Sequence, residues 1–171
     1  MLTQNKTKKV AIVGVGNLIQ RDDGIGVHVV NYLERCFHID KEKVALVDAG
    51  TAGIYMAPVI ESSSHLFVID AVNLEAPPGT IKVFSEDDLK AASIHTRMSP
   101  HQVGILEILD LCRLRMDEPP RVKFITIVPN DCSPGTRLSP EVKSKIPKLA
   151  GIIKKELYNI GIHITRDAED A

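Results

Sequence analysis

The sequence has no basic cluster interleaved with aromatic residues, no paired-cysteine motif and no long apolar run. Its 171 residues carry a net charge of -1, and nowhere do basic residues alternate with aromatic ones. Binding to nucleic acid or to a membrane is therefore not expected. The three cysteines are widely separated and lack a CxxC spacing, which argues against a disulfide framework and a thiolate metal site. We expect a protein of the reducing cytoplasm.

The ends of the chain show no targeting or spanning signal. The segment MLTQNKTKK is polar and basic, and only a short glycine-interrupted apolar run follows it, so it predicts neither a signal peptide nor a transmembrane helix. The length fits a single monomeric domain, residues 1–171, with a solvated leader at 1–9 and a frayed acidic tail at 163–171. Such a domain buries about 70% of its unfolded surface and needs no metal or disulfide to fold.

The most informative stretch is VAIVGVGNLIQRDDGIGVHVV, residues 10–30. Its apolar start predicts a strand that is buried on both faces, and the glycines that follow predict a sharp turn. A helix comes next, with an apolar stripe formed by Ile25, Val29, Val30 and Leu33. The turn lacks the third glycine of a dinucleotide fingerprint, and its two carboxylates would repel a pyrophosphate, so that interpretation is disfavoured.

Asp22 and Asp23 lie where this helix begins. One carboxylate suffices to cap a helix N-terminus and to complement its dipole. A second adds like-charge repulsion. We therefore expect one of the two to be structural and the other to be available for chemistry.

Two later strands also end in acidic residues. Val44–Val47 is followed by Asp48 and the small-residue loop Gly50-Thr51-Ala52-Gly53, which is either an ordinary turn or part of a ligand site at the carboxyl edge of the sheet. The strand Leu66–Ile69 is followed by Asp70. A carboxylate at such a place must cap a backbone group, form an ion pair or bind a cation.

The remaining pattern predicts a three-layer α/β/α domain with five strands. Ile81–Phe84 has the near-alternation of an edge strand, with an antiparallel pairing to the preceding strand allowed, and Val122–Val128 is the fifth strand. After Ser139, a last helix runs to about Ile160 and is expected to bend at Pro147.

The segment SPHQ marks the clearest helix start, with Ser99 as N-cap and Pro100 at the first position. His101 then lies in the first turn, where the positive end of the helix keeps its imidazole neutral and able to bind a metal. A solvated surface histidine is the alternative, and His95 is the next candidate. If the strand ends converge, Asp23, Asp70 and His101 would suit a borderline cation such as nickel, zinc or manganese.

In order and spacing, four motifs resemble the nickel-iron hydrogenase maturation proteases: GVGNLIQRDDGIG, VDAGTAG, VIDAV and SPHQ. The resemblance runs from about Val10 through the fifth strand. It implies that Asp23, Asp70 and His101 are the catalytic and metal-binding residues, with Asp23 standing where many relatives carry Glu. Asp22 is then left as the helix cap.

The resemblance also implies a phosphorylase/hydrolase-like fold with a twisted, mostly parallel, five-stranded mixed sheet. It assigns substrate recognition to Asp48, Gly50, Thr51 and Gly53. The implied activity is removal of a C-terminal peptide from the hydrogenase large-subunit precursor. Nickel held by the precursor would be the recognition signal, so the protein alone would be metal-free.

Two alternatives stay open at the level of sequence. In the first, Asp23 and Asp70 share a proton as an aspartic-type dyad, and His101 is structural. In the second, the protein is a non-catalytic checkpoint that binds the nickel-loaded precursor without cutting it. Cleavage of nickel-free precursor would favour the first alternative, and any cleavage at all would exclude the second.

Overall fold

The computed structural model describes residues 9–51, 53–91, 100–115 and 120–167. Five strands form one sheet, covered by helices on both faces, as the sequence predicts. The strands of this sheet are β1 (Lys9–Val15), β3 (Val44–Gly50), β4 (Ser63–Ala71), β5 (Ile81–Ser85) and β6 (Arg121–Ile127), and β2 (Phe37–His38) with β7 (Thr165–Arg166) forms a separate ribbon. The helices are α1 (Ile25–Cys36), α2 (Ala57–Glu61), α3 (Glu86–Ala91), α4 (Pro100–Arg113), α5 (Pro140–Lys143) and α6 (Ile146–Asn159).

The strand order is β3-β1-β4-β6-β5, and only β5 runs antiparallel to its neighbour. The prediction that Ile81–Phe84 is an edge strand is confirmed. Its antiparallel partner, however, is β6, with Ile81 opposite Ile127, and not the preceding strand β4. Both edges of β4 are already paired, with β1 and with β6, so β5 has to add outside β6.

Each strand supplies both faces of the core. Successive side chains of a strand point to opposite faces. Ile12 packs under α1 and α6, whereas its neighbour Val13 packs under α2 and α4. The continuous apolar runs in the sequence follow from this double burial.

The last predicted helix is interrupted. Ser139 caps α5, because its hydroxyl accepts the amide of Val142, as the sequence pattern predicts. The bend expected at Pro147 is a full break, and α6 begins at Ile146 with the proline in its first turn. Proline is tolerated there because the first amides of a helix have no intrahelical partner.

The tail differs from the expectation of a frayed segment at 163–171. Thr165 and Arg166 pair with His38 and Phe37, and Ile164 is 3% exposed. Packing of this one apolar side chain fixes residues that composition alone marks as solvated. Residues 168–171 and most of the leader, 1–8, lie outside the described ranges, while Lys9 already belongs to β1. In the described ranges, no helix is long and apolar enough to cross a bilayer.

Candidate active site

Helix α1 begins directly against the carboxyl ends of β1 and β4. A Cβ atom on Gly26 would lie 2.2 Å from the carbonyl oxygen of Ile69 and 2.4 Å from that of Val15, closer than any side chain can approach. Because no side chain intervenes, the helix backbone packs on both strands. This contact holds the segment that precedes α1 beside Asp70, the residue after Ile69.

Asp23 lies in that segment, within the 3₁₀ turn Arg21–Gly24. Its Oδ2 accepts the backbone amide of Asn17 at 2.7 Å, and its side chain is partly buried. Gly16 has a φ of 127°, and a Cβ there would lie 1.8 Å from the carbonyl oxygen of Asp23. The turn after β1 therefore fixes both the backbone and the carboxylate of Asp23.

Asp70 lies near the end of the central strand β4 and is fully buried. Its Oδ1 accepts the amide of Ala71 at 2.8 Å. The 3₁₀ turn that carries Asp23 contacts β4, so the two carboxylates lie at the same end of the sheet. Parallel strands all present their carboxyl ends at one edge, which is why the sequence could place these residues together.

The prediction that Asp22 caps α1 is wrong. The N-cap residue of α1 is Gly24, and no side chain caps that helix. Asp22 is instead fully buried and accepts the amides of Asn130, Asp131 and Ser139 together with the Ser139 hydroxyl, at 2.7 to 2.9 Å. Its role is structural, as expected for one acid of the pair, but it anchors the active-site turn to the loop between β6 and α5.

The loop assigned to substrate recognition lies beside the turn that follows β1. Asp48 is exposed, pairs with Gly14 across the sheet, and accepts the amide of Gly50 at 3.0 Å. The carbonyl of Gly50, whose φ is 47°, accepts the amide of Gly16 at 2.9 Å. This bond joins the two loops. Thr51 is exposed, and Gly53 starts a 3₁₀ turn, Gly53–Met56.

The structure describes only part of the predicted histidine site. α4 starts at Pro100 as the sequence predicts, and the backbone of His101 lies in its first turn. The His101 side chain, Ser99 and His95 lie outside the described residues. Among the side chains that are described, no three His, Cys, Asp or Glu residues are close enough to hold a metal. A three-ligand site with His101 thus stays a prediction.

Cys132 is a neighbour of Asp23 that sequence reasoning missed. Partial burial raises the pKa of its thiol, and the carboxylates of Asp23, Asp22 and Asp131 raise it further, against a smaller opposing effect of a hydrogen bond with the Asp23 backbone. The thiol therefore stays protonated at neutral pH. No local signal pointed to it, because the loop after β6 is brought to this position by long-range bonds, among them those that Asp22 accepts and the bond from the Gly135 amide to the Ile19 carbonyl.

Exposed apolar side chains lie on the turn that carries Asp23 and just after the loop that follows β3. Leu18 and Ile19, on the turn after β1, are 41% and 65% exposed, and Tyr55, just after the β3 loop, is 83% exposed. Ile19 is held firmly, since its amide donates to the Asn17 side chain and its carbonyl accepts the amide of Gly135. Solvent-exposed apolar side chains beside a polar site are typical of a surface that binds a protein.

Comparison with known proteins identifies a family with a similar sequence and fold. The family model described as hydrogenase maturation protease matches residues 27–156. A hydrogenase expression/formation protein, HupD of Thiocapsa roseopersicina, is 32% identical over 164 residues, covering 95% of this chain and 73% of that relative. The hydrogenase 2 maturation protease of Escherichia coli K12 is 28% identical, covering 94% of this chain and 98% of that protein.

Solved structures agree with the sequence relatives. The hydrogenase maturating endopeptidase HybD of Escherichia coli superposes with a TM-score of 0.84 at 26% identity, covering 95% of this chain and 99% of that one. The maturation protease HybD of Thermococcus kodakarensis has the same fold, with a TM-score of 0.74 at 24% identity, covering 86% and 98% of the two chains. These matches show that the chain belongs to the hydrogenase maturation protease family and is an endopeptidase of that class.

Proposed function

We propose that this endopeptidase removes a C-terminal peptide from the nickel-loaded large-subunit precursor of a nickel-iron hydrogenase, and that the nickel is its recognition signal. The observation that carries the proposal is that Asp23 and Asp70 lie at the same end of the sheet, Asp23 on a turn fixed by backbone contacts and Asp70 near the end of β4. The nickel belongs to the substrate, so the resting enzyme carries no tightly bound metal. The absence of disulfides among the three cysteines, all of which lie in the described ranges, is consistent with action in the reducing cytoplasm.

The residues of this chain have distinct tasks in the proposed reaction. Asp23 and Asp70, with His101 from α4, would contact the nickel that the precursor presents. A carboxylate of the pair would take the proton of the attacking water and return it to the leaving amine of the scissile bond, and the precursor's nickel would supply Lewis acidity. Asp23 suits direct contact with substrate, because it is only partly buried and one of its oxygens is held by Asn17.

The surroundings of the acids support a folded protein as substrate. Leu18, Ile19 and Tyr55 form an apolar rim on the loops that carry Asp23 and the Gly50 turn. A short peptide does not need such a rim, whereas a docked domain does, because burial of apolar surface supplies most of the affinity of protein contacts. We expect the rim to rest on the body of the large subunit and the acids to face its C-terminal segment.

The decisive experiment is incubation of the enzyme with precursor that has been loaded with nickel or stripped of it, followed by mass spectrometry. We expect a released C-terminal peptide only with nickel. Equal cleavage of the stripped precursor would establish the metal-free Asp23–Asp70 dyad instead. Complex formation without a released peptide, under conditions where nickel occupancy of the precursor is verified, would contradict the proposal and favour a checkpoint protein.

A further inference from the structure

Strand β3 is an open edge of the sheet, because its only neighbour among the described strands is β1. Its seven residues, VALVDAG, include one charge and neither lysine nor proline. Natural edge strands usually carry such residues or are very short, to prevent unwanted pairing. The opposite edge, β5, is shorter, carries Lys82 and runs directly into α3. Of the two edges, β3 is therefore the better suited to accept another strand.

The backbone groups on the outer side of β3 can be assigned from the ladder. The amide of Val10 donates to the carbonyl of Lys43, and Val10, Ile12 and Gly14 lie opposite Val44, Leu46 and Asp48. In a parallel pair with this alternation of hydrogen bonds, the backbone groups of Ala45 and Val47 bond to β1. The N–H and C=O of Leu46 and the N–H of Asp48 then point outward. In the described part of the chain these three groups have no partner, whereas the outward amide of Val44 donates to Asp40.

The open edge leads into the active site. At its carboxyl end, the carbonyl of Gly50 bonds to Gly16, whose backbone touches that of Asp23. A strand added outside β3 would lie two strand spacings from β1 and three from β4, about 10 to 14 Å from the ends that carry Asp23 and Asp70. About three to five extended residues span that distance. A segment docked on β3 would thus flank the scissile bond and not contain it.

A cavity of about 540 Å³ adjoins the amino end of this edge. Phe37, Ile39 and Leu46 line it together with Glu34, Lys41 and Asp167, among other residues. It has room for one large apolar side chain. In strand addition, backbone bonds give affinity, and pockets for alternate side chains give specificity.

We propose that β3 is the docking strand for an extended segment of the hydrogenase precursor near its cleavage site, which adds to the sheet as a sixth strand. An apolar side chain of that segment fills the cavity beside Phe37. This inference rests on the proposed function. It adds a docking element in which the backbone of β3 supplies affinity and the cavity beside Phe37 supplies specificity.

The first test is amide hydrogen exchange on the full-length enzyme carrying Asp70→Asn, which prevents turnover. Nickel-loaded precursor is added, and precursor truncated before its C-terminal segment is the control. The proposal expects hydrogen exchange at the amides of Leu46 and Asp48 to slow at least tenfold, and only with the intact precursor. Unchanged exchange at both amides, with binding verified, would overturn it. Protection that precedes precursor addition and grows with enzyme concentration would also overturn it, by showing that β3 pairs with a second copy of the chain.

The second test removes one outward donor. Leu46→Pro deletes the Leu46 amide N–H. Val83→Pro is the matched control on the opposite edge. The amide of Val128 donates to the carbonyl of Thr80, and in the alternating pattern of an antiparallel pair this leaves the Val83 amide pointing outward. The proposal expects Leu46→Pro to raise KM for the precursor about tenfold with kcat nearly unchanged. Val83→Pro should leave both constants unchanged.

The two proposals fail in different ways. If the unmodified enzyme does not cleave the precursor, the proposed function fails. If it does, and folded Leu46→Pro shows the KM of the unmodified enzyme, only the docking strand is wrong. Should Leu46→Pro not fold by circular dichroism, the exchange experiment decides on its own.

Discussion

The carboxylate of Asp22 accepts both the amide and the hydroxyl of Ser139, at 2.7 and 2.8 Å, across 117 positions of sequence. Two more amides, those of Asn130 and Asp131, complete its set of donors. We expect Asp22→Asn to lower the free energy of unfolding by about 2–4 kcal/mol. The side-chain NH2 of the asparagine would face N–H and O–H donors, whereas the carboxylate of Asp22 accepts hydrogen bonds from them. Urea denaturation measures the change.

The control for this variant is Glu34→Gln, which breaks an exposed ion pair with Lys41 and should cost less than about 1 kcal/mol. Equal stability of Asp22→Asn and the unmodified chain would show that the buried anchor contributes little.

Asp23 and Asp70 are expected to be essential for cleavage and dispensable for folding. Asp23→Asn, Asp70→Asn and His101→Ala should each lower the rate of precursor cleavage by about two to four orders of magnitude, since each loses a charge or a lone pair used on the substrate. Asp23→Glu, which keeps a carboxylate at this position on a side chain longer by one methylene, should keep substantial activity. Single-turnover cleavage followed by mass spectrometry gives the rates, and normal cleavage by any two of the three disabling variants would mean that the site is misassigned.

Gly26 is expected to tolerate no side chain. Gly26→Ala places a methyl group against the backbone of Ile69 and Val15, which cannot move aside as a flexible side chain would. The free energy of unfolding should fall by about 1–3 kcal/mol. Cleavage activity should also be lost, because α1 must shift away from Asp70. Gly151→Ala is the matched control: its Cβ meets nothing within 4 Å, and it should stabilise α6 by about 0.5–1 kcal/mol. Thermal unfolding of both variants checks the contrast.

The apolar rim gives a prediction about affinity. Ile19→Asp should raise KM for the precursor by about tenfold with little change in kcat, because Ile19 is 65% exposed and faces the proposed substrate without supporting the fold. Tyr158→Asp, at a similarly exposed position on α6, should change neither constant. A fall in kcat at unchanged KM for Ile19→Asp would contradict a docking role.

Stability should fall on mild acidification. Burial, followed by the charges of Arg35 and Lys143, lowers the pKa of His28 below its usual 6.5. The unfolded chain therefore binds more protons than the folded one near pH 6, so the contribution of this group is complete above about pH 6.5 and is lost as the pH falls towards the folded pKa. Burial likewise lowers the pKa of His65. His28→Gln should flatten the loss of stability between pH 7 and pH 5.5, measured by urea denaturation, relative to a control His163→Gln.

Much of the architecture could be read from local pattern. Apolar runs that end in Asp48 and Asp70 marked parallel strands and their carboxyl ends, and the geometry of a parallel sheet then put the acids at one edge. The start of α4 at Pro100 was likewise visible in four consecutive residues. These features depend on neighbours in sequence, so the sequence alone reports them.

Features that depend on distant partners were missed. The role of Asp22 could not be foreseen, because its donors lie more than 100 positions away. The same holds for the partner of β5, for the nearness of Cys132 to Asp23, and for the pairing of Thr165 with His38.

By itself, the sequence determined the layered α/β class, the surplus acid after β1 and the family resemblance, since these rest on hydrophobic period, turn chemistry and motif spacing. Only the tertiary structure decided which acid is buried and which faces outward. Asp22 and Asp23 are adjacent, chemically identical carboxylates, and what separates them is the loop folded over Asp22 and the turn that opens Asp23 towards solvent. Three-dimensional contact also left the outer side of β3 without a neighbour among the described strands, which no local pattern records.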